Sequence, residues 1–237
     1  HYHAYGYHLH FWDNYGKRRL ENGILTDKGE FINWTGTDVN DTLWHHVAST
    51  YDGRAGLNNF KTYLDGIVVD QQTAIGSIIQ GDGMLFIGSS FAVNKDSKFN
   101  IDDIRLWNKA LTQDELIANQ TKKLTGEEEG LKMFLNFDDT FKDISGNGND
   151  AIPVNLGLQE TSDFDPPLTD FELYQHSNEI SLNNKTENGT TYEWNFGKEE
   201  TSDQGNPGYT YTVPGEYVIA LLASNANSVT SKHGIMA

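Results

Sequence analysis

The fold of this chain is decided by residues 43–53, which read Leu43-Trp44-His45-His46-Val47-Ala48-Ser49-Thr50-Tyr51-Asp52-Gly53. A second stretch with a similar pattern, residues 60–69, reads Phe60-Lys61-Thr62-Tyr63-Leu64-Asp65-Gly66-Ile67-Val68-Val69. Both stretches alternate in side-chain character and both contain Asp-Gly. Because glycine accepts the positive φ that a tight turn requires, the pattern predicts antiparallel strands joined by a turn at Asp65-Gly66. We expect Met84–Gly88 to add a further strand to this meander.

A strand and a short helix are predicted to follow the meander. Residues 99–107 read Phe-Asn-Ile-Asp-Asp-Ile-Arg-Leu-Trp and are typical of a strand. Thr112 is followed three residues later by the carboxylate of Glu115, which is the capping-box pattern that begins a helix. After this helix, residues 130–137 are predicted to form another strand.

These stretches resemble the laminin-G-like domain, a concanavalin-type jelly roll, in its bacterial form. The resemblance is carried, in order, by WHHVASTYDG at 44–53, YLDG at 63–66, IGSS at 87–90, IDDIRLWNKALTQDEL at 101–116 and DISGNGND at 143–150. It implies an all-β fold in which residues 1–166 form a concanavalin-like jelly-roll sandwich. Relative to the family, the chain begins inside the jelly roll, so we expect the first strands to be missing from it.

Residues 167–237 resemble a PKD domain, which is a small immunoglobulin-like β-sandwich. The resemblance is carried by Trp194-Asn195-Phe196-Gly197, Tyr209-Thr210-Tyr211 and Pro214-Gly215-Glu216-Tyr217. Asn195 stands where the family pattern has aspartate, and this makes an ion site at that turn less expected. The boundary is placed at residues 163–167, because two adjacent prolines do not fit a central strand.

Composition and charge narrow the class of partner. The chain has 237 residues and a formal net charge of −17, from 17 basic and 34 acidic residues. Because nucleic-acid binding depends on clustered Lys and Arg, this charge argues against a nucleic-acid partner. No run of about 18 apolar residues is present, so the sequence predicts no membrane-spanning helix.

Several features of the sequence predict where the protein is located and whether it is part of a larger polypeptide. It contains no cysteine, which favours a bacterial surface protein or a reducing compartment. The pairing of a laminin-G-like domain with a PKD domain resembles multidomain cell-surface and secreted proteins of the Bacteroidota type. This implies an extracellular or cell-surface location. Since the chain starts at His1 without an initiator methionine, we expect it to be part of a larger polypeptide.

The oxygen-rich segment 138–150 is the best candidate for a metal site. Asp143, Asn147 and Asn149 offer the carboxylate and amide oxygens that calcium prefers, and the resemblance places Asp102 near them. The sequence therefore predicts a structural calcium ion with these four ligands. An Asx-turn with exposed acids, which needs no metal, explains the same pattern.

Candidate ligand-binding residues lie on two predicted strands. Residues 6–12 alternate so that Tyr7, Leu9 and Phe11 share one face, whereas His8, His10 and Trp12 share the other. The i, i+2 histidines are suited to a transition metal, although an exposed strand face is the simpler interpretation. Trp12 and Trp34 are candidates for stacking on a sugar, with core packing as the alternative.

No catalytic residue is predicted. Glycosidases of the concanavalin fold use carboxylates in an E-x-D-x-x-E pattern, which is absent, and so are a P-loop, a nucleophile elbow and H-E-x-x-H. We therefore expect a non-catalytic recognition or adhesion segment that binds a glycan or a surface protein and that calcium stabilises. Alternatives are accessory carbohydrate-binding and spacer domains of a secreted polysaccharide-degrading enzyme or protease, or a spacer without a ligand.

Overall fold

The computed structural model describes residues 6–14, 17–39, 41–81, 84–88, 100–138, 140–154, 166–198 and 200–237, with the side chains of 12–14 excepted. In its first half the strands are β1 (Tyr7–Asn14), β2 (Lys17–Thr26), β3 (Gly29–Asp38), β4 (Val47–Tyr51), β5 (Phe60–Leu64), β6 (Ile67–Gln72), β7 (Ile104–Trp107) and β8 (Leu131–Leu135). A helix, α1 (Gln113–Gln120), lies between β7 and β8. The strands form antiparallel sheets in the orders β1-β2-β3, β4-β5-β6 and β7-β8.

The predicted meander and its turn are confirmed. Strand β5 pairs with β4 on one side and with β6 on the other. At the turn between β5 and β6, φ is positive at both Asp65 (51°) and Gly66 (80°), as in a type I′ turn, whose twist matches that of the flanking strands. The helix is confirmed too, because Thr112 and Glu115 form the reciprocal hydrogen bonds of a capping box.

The sheets β1-β2-β3 and β4-β5-β6 pack face to face. Ile24 of β2 and Phe60 of β5 lie in one buried cluster with Ala74. Beside this cluster, the amides of Asn22 and Asn33 each donate to Thr62 Oγ1 at 3.1 Å. All three of these polar side chains are buried, and their mutual hydrogen bonds offset the cost of removing them from water.

The second half of the chain is a sandwich of two antiparallel sheets. Its strands are β9 (Phe171–His176), β10 (Glu179–Asn184), β11 (Thr191–Asn195), β12 (Thr201–Ser202), β13 (Gly208–Thr210), β14 (Tyr217–Ser224) and β15 (Val229–Met236), in the sheet orders β13-β10-β9 and β12-β11-β14-β15. Trp194, Tyr211, Ile219 and Leu221 are almost fully buried between them. The Tyr211 hydroxyl donates to Phe196 O at 2.8 Å, so the buried phenol is satisfied. The predicted all-β fold, with a jelly-roll sandwich followed by a smaller one, is confirmed.

Two expectations about strands are wrong. Met84–Gly88 forms no strand, and Met84, Leu85 and Phe86 are exposed there. An apolar run becomes a strand only when a sheet edge accepts its backbone, and β propensity alone does not provide one. The strand expected over residues 99–107 begins only at Ile104, so Asp102 precedes it.

The boundary at residues 163–167 stays a prediction, because residues 155–165 lie outside the described part of the chain. On either side of it, the two halves make direct contact. Trp44 N donates to Asn227 O at 2.8 Å, and Val229 N donates to Trp44 O at 3.1 Å. Within the described residues, no helix has the length and apolar character needed to cross a bilayer.

Candidate functional site

The outward-facing side of the sheet β1-β2-β3 brings together His8, His10, Glu21, Gly23 and Trp34, and we call this surface the histidine face. The strand registers pair His8 with Gly23 and His10 with Glu21 across β1 and β2, and Glu21 with Trp34 across β2 and β3. Because side chains alternate along a strand, the neighbouring residues Asn22 and Ile24 point the other way, into the core. His8 and His10 therefore lie on the same face of β1 as predicted, whereas the predicted orientation of the Trp12 side chain lies outside the described part of the chain.

Two imidazoles converge on one carboxylate in this face. His8 Nε2 lies 3.2 Å and His10 Nε2 lies 3.3 Å from Glu21 Oε1, and the two rings have centroids 5.2 Å apart. The Glu21 side chain is only 9% exposed, because the imidazoles lie over it. Within the described residues, this is the one group of at least three His, Asp or Glu side chains whose ligand atoms all lie within 4.8 Å of one another.

The absence of a side chain at Gly23 permits this arrangement. A Cβ added there would lie 2.2 Å from His8 Cε1 and 2.6 Å from His8 Nε2, far inside van der Waals contact. The His8 ring therefore occupies the space above Gly23. From there it reaches Glu21, which is its diagonal neighbour on the adjacent strand.

Burial changes the proton affinity of His10. Desolvation lowers the pKa of His10, the charge of Glu21 opposes this, and His8 adds to the lowering. The result is a His10 pKa below its ordinary value, which keeps the ring neutral near pH 7. A neutral imidazole has a lone pair that can accept a hydrogen bond or bind a metal.

Trp34 is the exposed aromatic side chain of the histidine face, with 54% of its surface accessible. It lies in the middle of β3, where the sheet holds the backbone in place. The other predicted stacking residue, Trp12, has a side chain outside the described part of the chain. The structure thus places Trp34, His8 and His10 on one surface, and the role predicted for Trp12 stays a prediction.

The predicted calcium ligand Asp143 is a buried hydrogen-bond acceptor. Its Oδ1 accepts from Phe134 N (2.9 Å), Ser145 N (3.0 Å) and Ser145 Oγ (2.6 Å). Its Oδ2 accepts from Asn149 N (3.0 Å) and Asn149 Nδ2 (3.2 Å). Desolvation favours protonation, but these donors outweigh it, and the pKa of Asp143 is lowered. The Asp143 carboxylate thus holds the loop together through five hydrogen bonds.

The other predicted calcium ligands have protein partners of their own. Asn147 donates its amide to Ser145 Oγ at 2.9 Å, and Asn149 donates to Lys132 O at 2.8 Å. Burial, with the nearby charges of Asp103 and Asp138, raises the pKa of Asp102 to about 6, although a hydrogen bond from Asp103 N acts in the opposite direction. The alternative of an Asx-turn describes the loop geometry, and bound calcium stays a prediction.

A second histidine environment, around His45, was not identified as a site from the sequence. His45 Nδ1 lies 2.7 Å from Asp65 Oδ2, and its Nε2 lies 3.0 Å from Asp41 Oδ1. Burial alone would lower the pKa of His45, but the two carboxylates outweigh it and raise the pKa to about 9. His45 is therefore a cation that ties the loop before β4 to the turn before β6. The Asp-x-x-x-His spacing of Asp41 and His45 was its only local signal.

Comparison with known families finds one match in each half of the chain. Residues 2–117 match the family model of the concanavalin A-like lectin/glucanases superfamily, and residues 172–236 match that of the PKD domain. The chain carries a laminin-G-like domain followed by a PKD domain. The strands that form the histidine face, β1 to β3, lie within the laminin-G-like domain. No curated protein matches the chain.

Two solved structures that are similar to part of this chain are PKD1 domains. The PKD1 domain of Vibrio anguillarum Epp is 25% identical, with coverage of 30% of this chain and 89% of that one and a TM-score of 0.28. The PKD1 domain of the Vibrio cholerae metalloprotease PrtV is 24% identical, with coverage of 30% and 93% and a TM-score of 0.28.

Proposed function

We propose that this chain is a non-catalytic recognition segment of a larger extracellular bacterial protein. In this proposal the laminin-G-like domain binds a glycan or a surface protein through its histidine face, and the PKD domain spaces it from the neighbouring domains. The two family matches support a binding or spacer role within a longer polypeptide. Fold alone does not define a ligand, so the proposal depends on the chemistry of the face.

The observation that carries the proposal is the exposure of Trp34 on an ordered strand. An indole ring with 54% of its surface accessible loses apolar hydration when a flat apolar surface covers it. The C–H face of a pyranose offers such a surface. His8 and His10, on the same face, add ring nitrogens that exchange hydrogen bonds with hydroxyl groups. A glycan is therefore the ligand class that this surface fits best.

The formal charge of −17 adds a constraint on the partner. Charge repulsion disfavours association with a strongly acidic polymer, whereas neutral glycans and cationic surfaces are unaffected or attracted. We therefore expect a neutral glycan to bind more tightly than a polyanionic one. Because nucleic acid is also a polyanion, the same charge repulsion disfavours it as a partner.

The second candidate is an accessory role in a secreted polysaccharide-degrading enzyme or protease. The matched superfamily includes glucanases as well as lectins by its description, which is the observation that favours it. The sequence of the parent polypeptide separates the two roles. A catalytic domain elsewhere in that polypeptide supports the accessory role, whereas tandem recognition modules support adhesion.

A glycan array probed with the whole chain tests the proposal. We expect binding to one class of neutral glycan, and loss of that binding in Trp34→Ala. The matched control is Tyr174→Ala, since Tyr174 is similarly exposed (57%) but lies in the PKD domain. Failure to bind any glycan on the array, or equal binding by the Trp34 variant and the wild type, contradicts glycan recognition through the histidine face.

A further inference from the structure

The most unusual cluster in the described part of the chain is formed by the two imidazoles and the carboxylate of the histidine face. We propose that His8, His10 and Glu21 form a binding site for a divalent transition-metal ion of the zinc class. The site does not depend on which ligand the chain recognises, so it goes beyond the proposed function. Its evidence is the geometry of three side chains on two paired strands.

The separations between the ligand atoms fit a single ion. Zinc is bound at about 2.0–2.1 Å by imidazole nitrogen and at about 2.0–2.2 Å by carboxylate oxygen, in tetrahedral geometry. Two ligands of such a tetrahedron are therefore about 3.3 Å apart. The distances from Glu21 Oε1 to the two Nε2 atoms are 3.2 Å and 3.3 Å. These two separations match those of ligands that share one ion, and the three ligand atoms all lie within 4.8 Å of one another.

The donor set decides the class of ion. Imidazole nitrogen suits zinc, copper, nickel and iron, whereas magnesium and calcium prefer oxygen donors. Three protein ligands also leave a fourth position open for water or for an oxygen atom of a bound ligand. We therefore expect zinc to bind and calcium and magnesium not to compete at equal concentration.

The charge balance also favours an ion. Among the described residues, the ion-pair partners of Glu21 are His8 and His10. A carboxylate that is 9% exposed is costly to bury without a compensating cation. In the metal-free form an Nε2–H group donates to Glu21 Oε1. A bound metal replaces that contact when the ring proton moves from Nε2 to Nδ1, so the ring remains neutral and its Nε2 lone pair binds the ion.

Gly23 provides a test that leaves all three ligands in place. In Gly23→Ala the new methyl group would occupy the position of the His8 ring, 2.2 Å from Cε1, and the ring must turn away from Glu21. Since φ of Gly23 is not positive, alanine imposes no backbone strain of that kind. A weaker metal affinity in a folded Gly23→Ala protein therefore reports on the geometry of the cluster.

The experiment is a calorimetric titration of the whole, chelator-stripped chain with Zn²⁺, repeated with Co²⁺ to record its visible absorption spectrum. We expect one equivalent to bind, and about tenfold or greater loss of affinity in His8→Ala, His10→Ala, Glu21→Gln and Gly23→Ala. The controls are His176→Ala in the PKD domain and the double variant His1→Ala/His3→Ala. Circular dichroism and the melting temperature verify that each variant is folded.

Three results would overturn this inference. The first is that the chain does not bind zinc. The second is that the Gly23 and Glu21 variants bind zinc as tightly as the wild type. The third is that the His1/His3 control loses zinc binding. In the first case the cluster is a hydrogen-bonded network only. Glycan binding that Trp34→Ala abolishes would remain informative in each case, because Trp34 is not one of the three proposed metal ligands.

Discussion

The hydroxyl of Ser231 in the PKD domain donates a hydrogen bond to the backbone carbonyl of Asp65 in the laminin-G-like domain. Ser231 N also donates to Gln120 Oε1 at 3.2 Å, so β15 contacts both the β5–β6 turn and α1. The carboxylate of Asp65 in turn holds His45 and accepts from His46 N at 2.9 Å. One tight turn thus connects the contact between the domains to the ion pair of His45.

Gly66 is expected to be essential for this contact. Its φ is +80°, and an added Cβ would lie 2.6 Å from both Ser231 Oγ and Ile117 Cγ1. We expect Gly66→Ala to lower the free energy of unfolding by about 2 kcal/mol, since backbone strain and a steric clash act together. Denaturant unfolding measures the loss, and hydrogen exchange at Ser231 N reports on the domain contact.

The matched control for this change is Gly88→Ala. Gly88 has a similar φ of +73°, but no atom of the described residues lies within 4 Å of its added Cβ, so the variant reports mainly on the cost of backbone strain. If Gly66→Ala and Gly88→Ala destabilise equally and exchange at Ser231 is unchanged, the contact between the domains does not depend on Gly66.

The ion pair of His45 predicts a stability that depends on pH. The folded pKa of about 9 lies above the ordinary value of 6.5. The stabilisation is therefore fully present below about pH 6.5 and is lost as the pH rises through about 9. We expect the free energy of unfolding to fall by about 2 kcal/mol over this interval, measured by urea denaturation at several pH values.

His45→Gln should be less stable than the wild type at pH 6 and should lack most of this decline, because glutamine does not titrate. His176→Gln is the control, since His176 is exposed on β9. A His45 variant with the same pH slope as the wild type contradicts the assignment of the charge to this ring.

Asp143 is expected to be the main stabilising residue of the loop after β8. In Asp143→Asn, an amide nitrogen replaces one of two oxygens that together accept five hydrogen bonds, so at least one donor loses its partner. We expect a loss of about 2 kcal/mol, with exposed Asp203→Asn as the control. Because the folded pKa of Asp143 is lowered, its contribution is present above the unfolded pKa and disappears as the pH falls through the folded one. Equal stability of Asp143→Asn and the wild type at pH 7 contradicts this role.

Calcium binding by the same loop is a separate prediction from the sequence. If Asp102, Asp143, Asn147 and Asn149 bind the ion, millimolar calcium should raise the melting temperature of the chelator-stripped chain and should give heat in a titration. Asp143→Asn should abolish both effects. Unchanged melting and no heat would leave the Asx-turn as the sufficient description of the loop.

Local patterns predicted much of the fold. Alternation and Asp-Gly at residues 65–66 determine a hairpin within a few residues, and the capping box of Thr112 and Glu115 determines where α1 begins. Met84–Gly88 shows the limit of this reasoning. Its residues have β propensity, but strand formation also depends on a partner edge that no local pattern specifies.

One part of the candidate site could also be predicted from the sequence, whereas the rest depends on the tertiary structure. The sequence by itself placed His8 and His10 on one face of a strand, because the period of two is a local property of an extended chain. Only the tertiary structure brought Glu21 beneath them and Trp34 beside them. The pairing of three strands determines those contacts through its register, and a shift of one residue would turn Glu21 into the core. The same holds for Ser231 and Asp65, which are 166 residues apart and meet only when the two domains pack together.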